Sequence, residues 1–147
     1  MHSDPVHQPK EAQARLGRAW TRLPVSIRRR LAIAVGGAIG TGMRAGLAAA
    51  IPPDTWPWAT FIENVSGAFL LGFLLTRLIG AARATTVTIP LFCTGLLGSY
   101  TTFSTFVVEI VRLGDGRPLV AILYAISSVA LGLVSAYAGS RLAERRP

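Results

Sequence analysis

Cysteine and histidine are almost missing from this chain of 147 residues, which contains one Cys and two His. The lone Cys93 excludes an intrachain disulfide and has no companions for a thiolate metal site. Its position in an apolar run indicates a small packing residue. His2 and His7 lie in a polar, proline-containing stretch at the amino terminus, which favours disorder over metal ligation.

Long polar connections are missing as well. The chain is 51% hydrophobic, and four apolar segments each approach the roughly 20 residues that a helix needs to cross a bilayer. They cover about residues 31–51, 56–78, 86–111 and 118–140, and the connections between them are too short for a separate soluble domain. We therefore predict an all-α, multi-pass protein of the cell membrane. Its four-helix domain spans residues 31–140, between a basic cytoplasmic tail (1–30) and a basic carboxyl-terminal tail (141–147).

Acidic residues are scarce, with seven Asp and Glu against fifteen Lys and Arg. In a soluble chain this excess would suggest nucleic acid, but here the basic residues gather in tails and loops, as in a membrane protein oriented by cytoplasmic Arg. We therefore predict a lipid partner and no nucleic acid. Within the tail, Leu16, Trp20, Leu23 and Ile27 have the spacing of a surface amphipathic helix, and a disordered tail is the alternative.

The basic residues also predict a direction of insertion. With the amino terminus inside, twelve Lys and Arg at segment ends, tails and loops are cytoplasmic, and only Arg112 and Arg117 are outside. Seven of the twelve belong to the tail of residues 1–30. The distribution predicts a cytoplasmic amino terminus.

Hydroxyl residues interrupt the third apolar segment between Gly98 and Phe106. A buried hydroxyl in a membrane helix needs a hydrogen-bond partner, and the pair Gly98 and Ser99 predicts a weak point where the helix breaks. Irregular backbone at membrane depth persists only when it packs in protein or lines a polar cavity. As a continuous helix, the stretch would place Thr101, Ser104 and Thr105 on one face and Phe103, Phe106 and Ile110 on the other. We predict a binding site here.

Lines of residues spaced four apart mark the other three segments. They are Gly36, Gly40 and Arg44 in the first segment, Asn64, Ala68 and Gly72 in the second, and Tyr124, Ser128, Gly132, Ala136 and Ser140 in the fourth. Small residues at this spacing let membrane helices approach closely, so the lines predict helix contacts. A membrane Arg needs a partner or water. Two interpretations of Arg44 stay open, an anchor at the helix end and a direct contact with a transported anion.

The start of the second segment combines two tryptophans with an acid. Trp56 and Trp58 flank Pro57 and are typical of the membrane interface. Glu63 either lies at that interface, where the helix dipole favours a carboxylate, or lies deeper, where it is protonated or paired. Arg44 is a conceivable partner for it.

The motifs together resemble one known family. They are Gly36-Gly37-Ala38-Ile39-Gly40 with Arg44, Thr60 with Asn64 and Gly67, and Thr101-Thr102-Phe103-Ser104-Thr105-Phe106 followed by Glu109. This set resembles the Fluc (CrcB) fluoride channel family over residues 31–140. The run of Thr, Phe and Ser residues is highly specific, whereas the glycine motifs alone are weak.

The resemblance implies a fluoride-specific channel, not an enzyme, that passively exports cytoplasmic fluoride and so lowers its toxicity. It further implies an antiparallel, dual-topology dimer of four-helix subunits with broken third helices. A structural Na⁺ at the dimer centre would be held by the backbone carbonyls of Gly98 and Thr101. The fluoride pathway would use Asn64, Phe103, Phe106, Ser104, Thr105, Tyr124 and Ser128, with Arg44 and Glu109 in support.

This implied pathway agrees with the chemistry of the residues. Fluoride is small and tightly hydrated, so a selective pathway must replace water by closely spaced donors without holding the ion firmly. Hydroxyl and amide groups donate hydrogen bonds, and a phenyl ring offers an electropositive edge. A central sodium ion would lower the cost of moving anions through a low-dielectric core.

The sequence departs from the family pattern at four positions. Ala59 and Ser99 replace Gly, Glu63 replaces an apolar residue, and Tyr100 replaces Phe or Leu. Glu63 supports an alternative function, a small proton-coupled exporter that uses a membrane carboxylate. The charge bias supports another, a non-conducting subunit that pairs with a homologous subunit of opposite orientation.

Overall fold

The computed structural model describes residues 23–52, 55–80 and 85–144, which are almost entirely helical. The elements are α1 (Val25–Ala50), α2 (Trp58–Gly80), the π-helix π1 (Pro90–Leu97), α3 (Gly98–Tyr100), α4 (Phe103–Gly114) and α5 (Pro118–Glu144). Four spans are long and apolar enough to cross a membrane, namely α1, α2, the combined span Pro90–Gly114 and α5. The predicted all-α architecture with four membrane helices is confirmed.

The first and last helices are longer than predicted. Helix α1 begins at Val25, directly after Pro24, so residues 25–30 belong to the helix and not to the tail. The Pro24 carbonyl accepts hydrogen bonds from the amides of Ile27 and Arg28 at 3.0 and 3.1 Å. Proline is tolerated here because the first helical turn has no intrahelical acceptor for its missing N–H. At the other end α5 continues to Glu144, and the rest of both predicted tails (1–22 and 145–147) lies outside the described residues.

The third span is broken, but not where the glycine predicts. Gly98 has helical angles (φ −64°, ψ −24°), whereas Thr101 (φ −81°, ψ 157°) and Thr102 (φ −145°, ψ 120°) are extended. The break follows Tyr100 because Thr102 acts as the N-cap of α4, where its hydroxyl accepts from the Thr105 amide at 3.2 Å. The predicted break at Gly98 and Ser99 was therefore wrong by about one helical turn. The prediction that Thr101 and Ser104 share one helix face was also wrong, because Thr101 precedes α4 and has extended backbone angles.

The helices pack as two close pairs, α1 with π1 and α3, and α2 with α5, while α4 packs on α5. Glycines make these approaches possible. A methyl group added at Gly36 or Gly40 would run into backbone carbonyl oxygens of π1, and one added at Gly72 or Gly139 would run into carbonyl oxygens of the partner helix in the second pair. The predicted glycine contacts of the first and second segments are confirmed. In the fourth segment a methyl group added at Gly132 would have nothing within 4 Å. Gly132 therefore does not take part in the close contact between α2 and α5.

Polarity is distributed as expected for a chain surrounded by lipid. Large apolar side chains are widely exposed, among them Leu119, Leu133 and Val111. The buried residues include the polar Thr60, Glu63, Thr102 and Ser128. Lipid tails solvate apolar surface, so the costly groups in a membrane are the polar ones, and these are turned toward neighbouring helices. The polar interior lies around the helix break and α4.

Candidate functional site

The helix break is bridged by one side chain from α2. The Asn64 amide nitrogen donates to the Thr102 carbonyl at 3.0 Å, and the Thr102 amide donates to the Asn64 side-chain oxygen at 2.9 Å. A break in a membrane helix leaves polar backbone groups that lipid cannot satisfy. Asn64 hydrogen-bonds to both the amide and the carbonyl of Thr102 and thereby stabilises the break.

Hydroxyl groups complete the break. The Thr102 hydroxyl donates to the Thr105 hydroxyl at 2.9 Å and lies 3.4 Å from the Ser104 hydroxyl. The Thr101 hydroxyl donates to the Leu97 carbonyl at 3.0 Å. Two of the predicted pathway hydroxyls lie at the start of α4, where Thr105 is half-buried in this network and Ser104 is exposed. The two are therefore adjacent, but they face different surroundings.

A groove of about 280 Å³, the break groove, opens beside the break. It is lined by Asn64, Gly67, Ala68, Leu71, Cys93, Leu97, Gly98 and Thr101. It thus brings together the two residues predicted to hold sodium, Gly98 and Thr101. In a continuous helix the Thr102 amide would bond to the Gly98 carbonyl, but here it donates to Asn64. A carbonyl released from helical pairing at a break suits a sodium ion, so the residues present fit that ion.

A larger cavity of about 490 Å³, the interhelix cavity, lies where α1 and α4 end and α2 begins. Glu109 is the centre of its hydrogen bonding. One carboxylate oxygen accepts from the Thr60 hydroxyl at 2.8 Å and the other from the Tyr124 hydroxyl at 2.7 Å. Tyr124 is fully buried and Thr60 is 3% exposed. The carboxylate therefore connects three helices, α2, α4 and α5.

Three buried polar atoms at this cavity have no hydrogen-bond partner among the described residues. They are Nε of Arg44, Nε1 of Trp56 and Oε1 of Glu63, and all three residues line the cavity. Glu63 is only 2% exposed, and both Arg44 and Glu109 act on it electrostatically. Within the described residues no ion pair joins Glu63 to Arg44. Of the two predicted locations, Glu63 occupies the deeper one.

Aromatic rings run from the outer surface into the interior. The Phe103 and Phe106 ring centroids are 6.0 Å apart, and those of Phe106 and Tyr124 are 5.4 Å apart. Phe103 is 77% exposed whereas Phe106 is 8% exposed. The Ser128 hydroxyl, one turn beyond Tyr124 on α5, is buried without a partner in the described part of the chain. Three predicted pathway residues, Phe103, Phe106 and Tyr124, thus form one continuous set of rings, and Ser128 lies one helical turn further along α5.

Trp56 belongs to the same aromatic set, which the sequence did not indicate. Its ring packs edge-on against Tyr124 at 5.4 Å, and it also contacts Trp58 and Phe61. The prediction of an interfacial residue suits Trp58, which is 47% exposed, but Trp56 turns inward. No periodicity could have shown this, because Trp56 lies in the connection before α2.

Comparison with known proteins connects this arrangement to a family. The family model described as "CrcB-like protein, Camphor Resistance (CrcB)" matches residues 31–140. The chain is 43% identical over 117 residues to "Fluoride-specific ion channel FluC 1" of Mycobacterium bovis, covering 78% of this chain and 89% of that protein. It is 40% identical to "Fluoride-specific ion channel FluC 1" of Ligilactobacillus salivarius, over 75% of this chain and 95% of that protein. It is 39% identical to "Fluoride-specific ion channel FluC 2" of Bacillus subtilis, over 76% of this chain and 88% of that protein. With four membrane-crossing helices and a match over its whole membrane domain, this multi-pass membrane protein belongs to the CrcB family, as its motifs predicted.

Proposed function

We propose that this protein is a fluoride-specific channel that lets cytoplasmic fluoride leave the cell passively. The observation that carries the proposal is the similarity of the whole membrane domain to proteins named fluoride-specific ion channels. The chemistry of the site supports it, since hydroxyl groups, an amide and phenyl edges are the donors that a fluoride pathway requires. Pathway residues are Asn64, Phe103, Phe106, Ser104, Thr105, Tyr124 and Ser128, with Arg44 and Glu109 in support.

The proposed conducting unit is an antiparallel dimer. Phe103 supports it, because this ring is 77% exposed in a single copy although it adjoins the buried Phe106. Ser104 next to it is exposed too. Polar side chains in a membrane protein are normally turned away from lipid, so a second subunit that covers Phe103 and Ser104 would enclose a pathway between the two copies. The two break grooves would then approach each other at the interface.

The released carbonyls at the break are the proposed holders of sodium. Gly98 and Thr101 line one groove and carry backbone oxygens beside an interrupted helix. A bound sodium ion would supply positive charge near an anion pathway. The chain itself stabilises the geometry of the break, because Asn64 hydrogen-bonds to Thr102 and the Thr102 hydroxyl caps α4.

The deciding experiment is fluoride efflux from liposomes that contain this chain alone, followed with a fluoride electrode. A channel carries fluoride without a counter-ion, so efflux builds up a membrane potential and stops. Valinomycin lets potassium leave with the fluoride, and efflux is then fast. Chloride-loaded liposomes are the selectivity control. Absence of efflux from liposomes with correctly folded protein would reject the proposal for the isolated chain.

Two alternatives have observations in their favour. The buried Glu63 favours a proton-coupled exporter, which would require a proton gradient and fail as Glu63→Gln. The excess of basic residues at one side favours pairing with a homologous subunit of opposite orientation. Labelling of single cysteines introduced in both tails tests the second alternative in cells, and equal labelling from both sides would exclude it.

A further inference from the structure

We propose that the Tyr100 hydroxyl is a positioning group for a sodium ion at the helix break, because it fixes the side of the break that the Asn64 bridge does not reach. The proposal rests on the proposed sodium site and adds to it a residue that does not contact the ion. Tyr100 ends α3 and lies between Gly98 and Thr101 in the chain. Among the described residues, the lining of the break groove includes Gly98 and Thr101 and not Tyr100.

The first support is a hydrogen bond between two membrane spans. The hydroxyl oxygens of Tyr100 and Ser66 are 3.0 Å apart. The Ser66 hydroxyl has a single hydrogen, which it donates to the Ile62 carbonyl at 2.5 Å. The Tyr100 hydroxyl therefore donates to Ser66. The Tyr100 side chain is buried, and its ring packs over Gly67, where an added methyl group would lie 3.5 Å from a ring carbon. The end of α3 is thus fixed to α2 by a polar and an apolar contact.

The second support is the order of the contacts along the break. The Asn64 side chain hydrogen-bonds to the Thr102 backbone, directly after Thr101. The Ser66 hydroxyl accepts from Tyr100, directly before Thr101. The Thr101 carbonyl therefore lies between two points that α2 holds. Removal of either hydrogen bond leaves this carbonyl fixed from one side only.

The third support is the state of the two carbonyls. In a continuous helix the Gly98 and Thr101 carbonyls would accept from the amides of Thr102 and Thr105. At the break the Thr102 amide donates to the Asn64 side chain, and the Thr105 amide donates to the Thr102 hydroxyl. Both carbonyls thus lose their helical donors, and helix pairing no longer fixes their direction. Their direction depends instead on how firmly α3 and the extended residues are held.

The test is the thermal unfolding of the full-length protein in detergent at increasing sodium chloride, with N-methyl-D-glucamine chloride keeping the ionic strength constant. An ion that binds the native state stabilises it, so sodium should raise the unfolding midpoint of the wild type. The dependence of the midpoint on concentration gives an apparent Kd for sodium. In Tyr100→Phe, which removes the hydroxyl and keeps the ring, we expect this Kd to rise about threefold to tenfold, the scale of one net hydrogen bond.

Two variants of Ser66 form a matched pair. Ser66→Thr keeps a hydroxyl, and Ser66→Val has nearly the shape of Thr without one. The apparent Kd for sodium should stay near wild type in Ser66→Thr and rise in Ser66→Val as it does in Tyr100→Phe. Combining Ser66→Val with Tyr100→Phe should add little, because both changes remove the same hydrogen bond. This pair also decides the question if Tyr100→Phe folds poorly.

Two controls separate positioning from a general loss of stability. Tyr137→Phe removes a hydroxyl from a ring that is 64% exposed on α5. Gly139→Ala crowds the contact of α5 with the Phe69 carbonyl and should lower the unfolding midpoint without sodium. Neither change touches the break, so both should leave the apparent Kd for sodium unchanged.

The outcomes distinguish this proposal from the channel function. An unchanged Kd in Tyr100→Phe or in Ser66→Val overturns the role of Tyr100, and so does a wild-type midpoint that does not respond to sodium. An equal rise of the Kd in Gly139→Ala also overturns it, because the effect would then be general. If the sodium response changes as expected and the wild type conducts no fluoride in liposomes, the channel function fails while the role of Tyr100 stands.

Discussion

The Asn64 side chain and the Thr102 backbone form a two-bond pair, at 3.0 and 2.9 Å, between residues of different membrane spans. Each partner donates one bond and accepts one. The pair replaces hydrogen bonds that the broken helix has given up within a span that is long and apolar enough to cross the membrane. It fixes the position of α2 relative to the break, and with it the geometry of the break groove.

Asn64→Asp should impair conduction and weaken the fold. Aspartate keeps the acceptor for the Thr102 amide but loses the donor to the Thr102 carbonyl, which leaves that carbonyl facing a carboxylate. An unsatisfied buried partner costs about 1–3 kcal/mol, and the added negative charge opposes anions. Fluoride efflux should fall at least about tenfold, and unfolding by denaturant in detergent should shift to lower concentration. Normal efflux would show that Asn64 supports the break but takes no part in the anion pathway.

Phe103→Ile and Phe106→Ile should differ in their effect on the subunit. Phe103 is 77% exposed in a single copy, so its replacement should reduce fluoride efflux and leave subunit stability unchanged. Phe106 packs on Tyr124 and is 8% exposed, so its replacement should lower efflux and also cost about 1–3 kcal/mol of stability. Efflux and thermal unfolding in detergent measure the two effects. Undiminished efflux in both variants would remove the rings from the pathway.

Tyr124→Phe should release one oxygen of Glu109. The Tyr124 hydroxyl donates to it at 2.7 Å, and a bond to a charged group contributes about 1.5–3 kcal/mol. Thr60→Val is the matched change, because it removes the donor to the other oxygen. A double-mutant cycle should give a coupling of at least about 0.5 kcal/mol, since both donors hold one carboxylate. Strict additivity of the two stability changes would contradict this shared role.

Gly139→Ala should destabilise the pairing of α2 with α5. A methyl group at this position would meet the Phe69 carbonyl oxygen, and backbone cannot move aside cheaply. The expected cost is about 1–3 kcal/mol, measured as a lower unfolding midpoint in detergent. Gly132→Ala is the control on the same helix, because a methyl group there meets nothing within 4 Å and should leave stability unchanged or slightly raised. Equal effects of the two changes would mean that close packing at Gly139 is not limiting.

The sequence predicts the parts of this fold that depend on local pattern. Length and hydropathy indicated the four spans, and spacing by four indicated the contacts at Gly36, Gly40 and Gly72. The position of the break was missed, because Thr102 is stabilised by a residue 38 positions earlier and local flexibility at Gly98 does not decide it. The π-helix and the inward turn of Trp56 were also missed. Both depend on the packing of neighbouring helices, which no single segment encodes.

The partnership of Asn64 with Thr102 also has a consequence for biosynthesis. Chains are made from the amino terminus, so α2 is available before the third span leaves the ribosome. The extended residues at the break would expose bare amide and carbonyl groups to lipid if that span inserted alone. The earlier helix thus supplies the later one with a docking template, and the third span reaches its final shape only against a neighbour already in place. Asn64 therefore couples the folding of the third span to the earlier presence of α2.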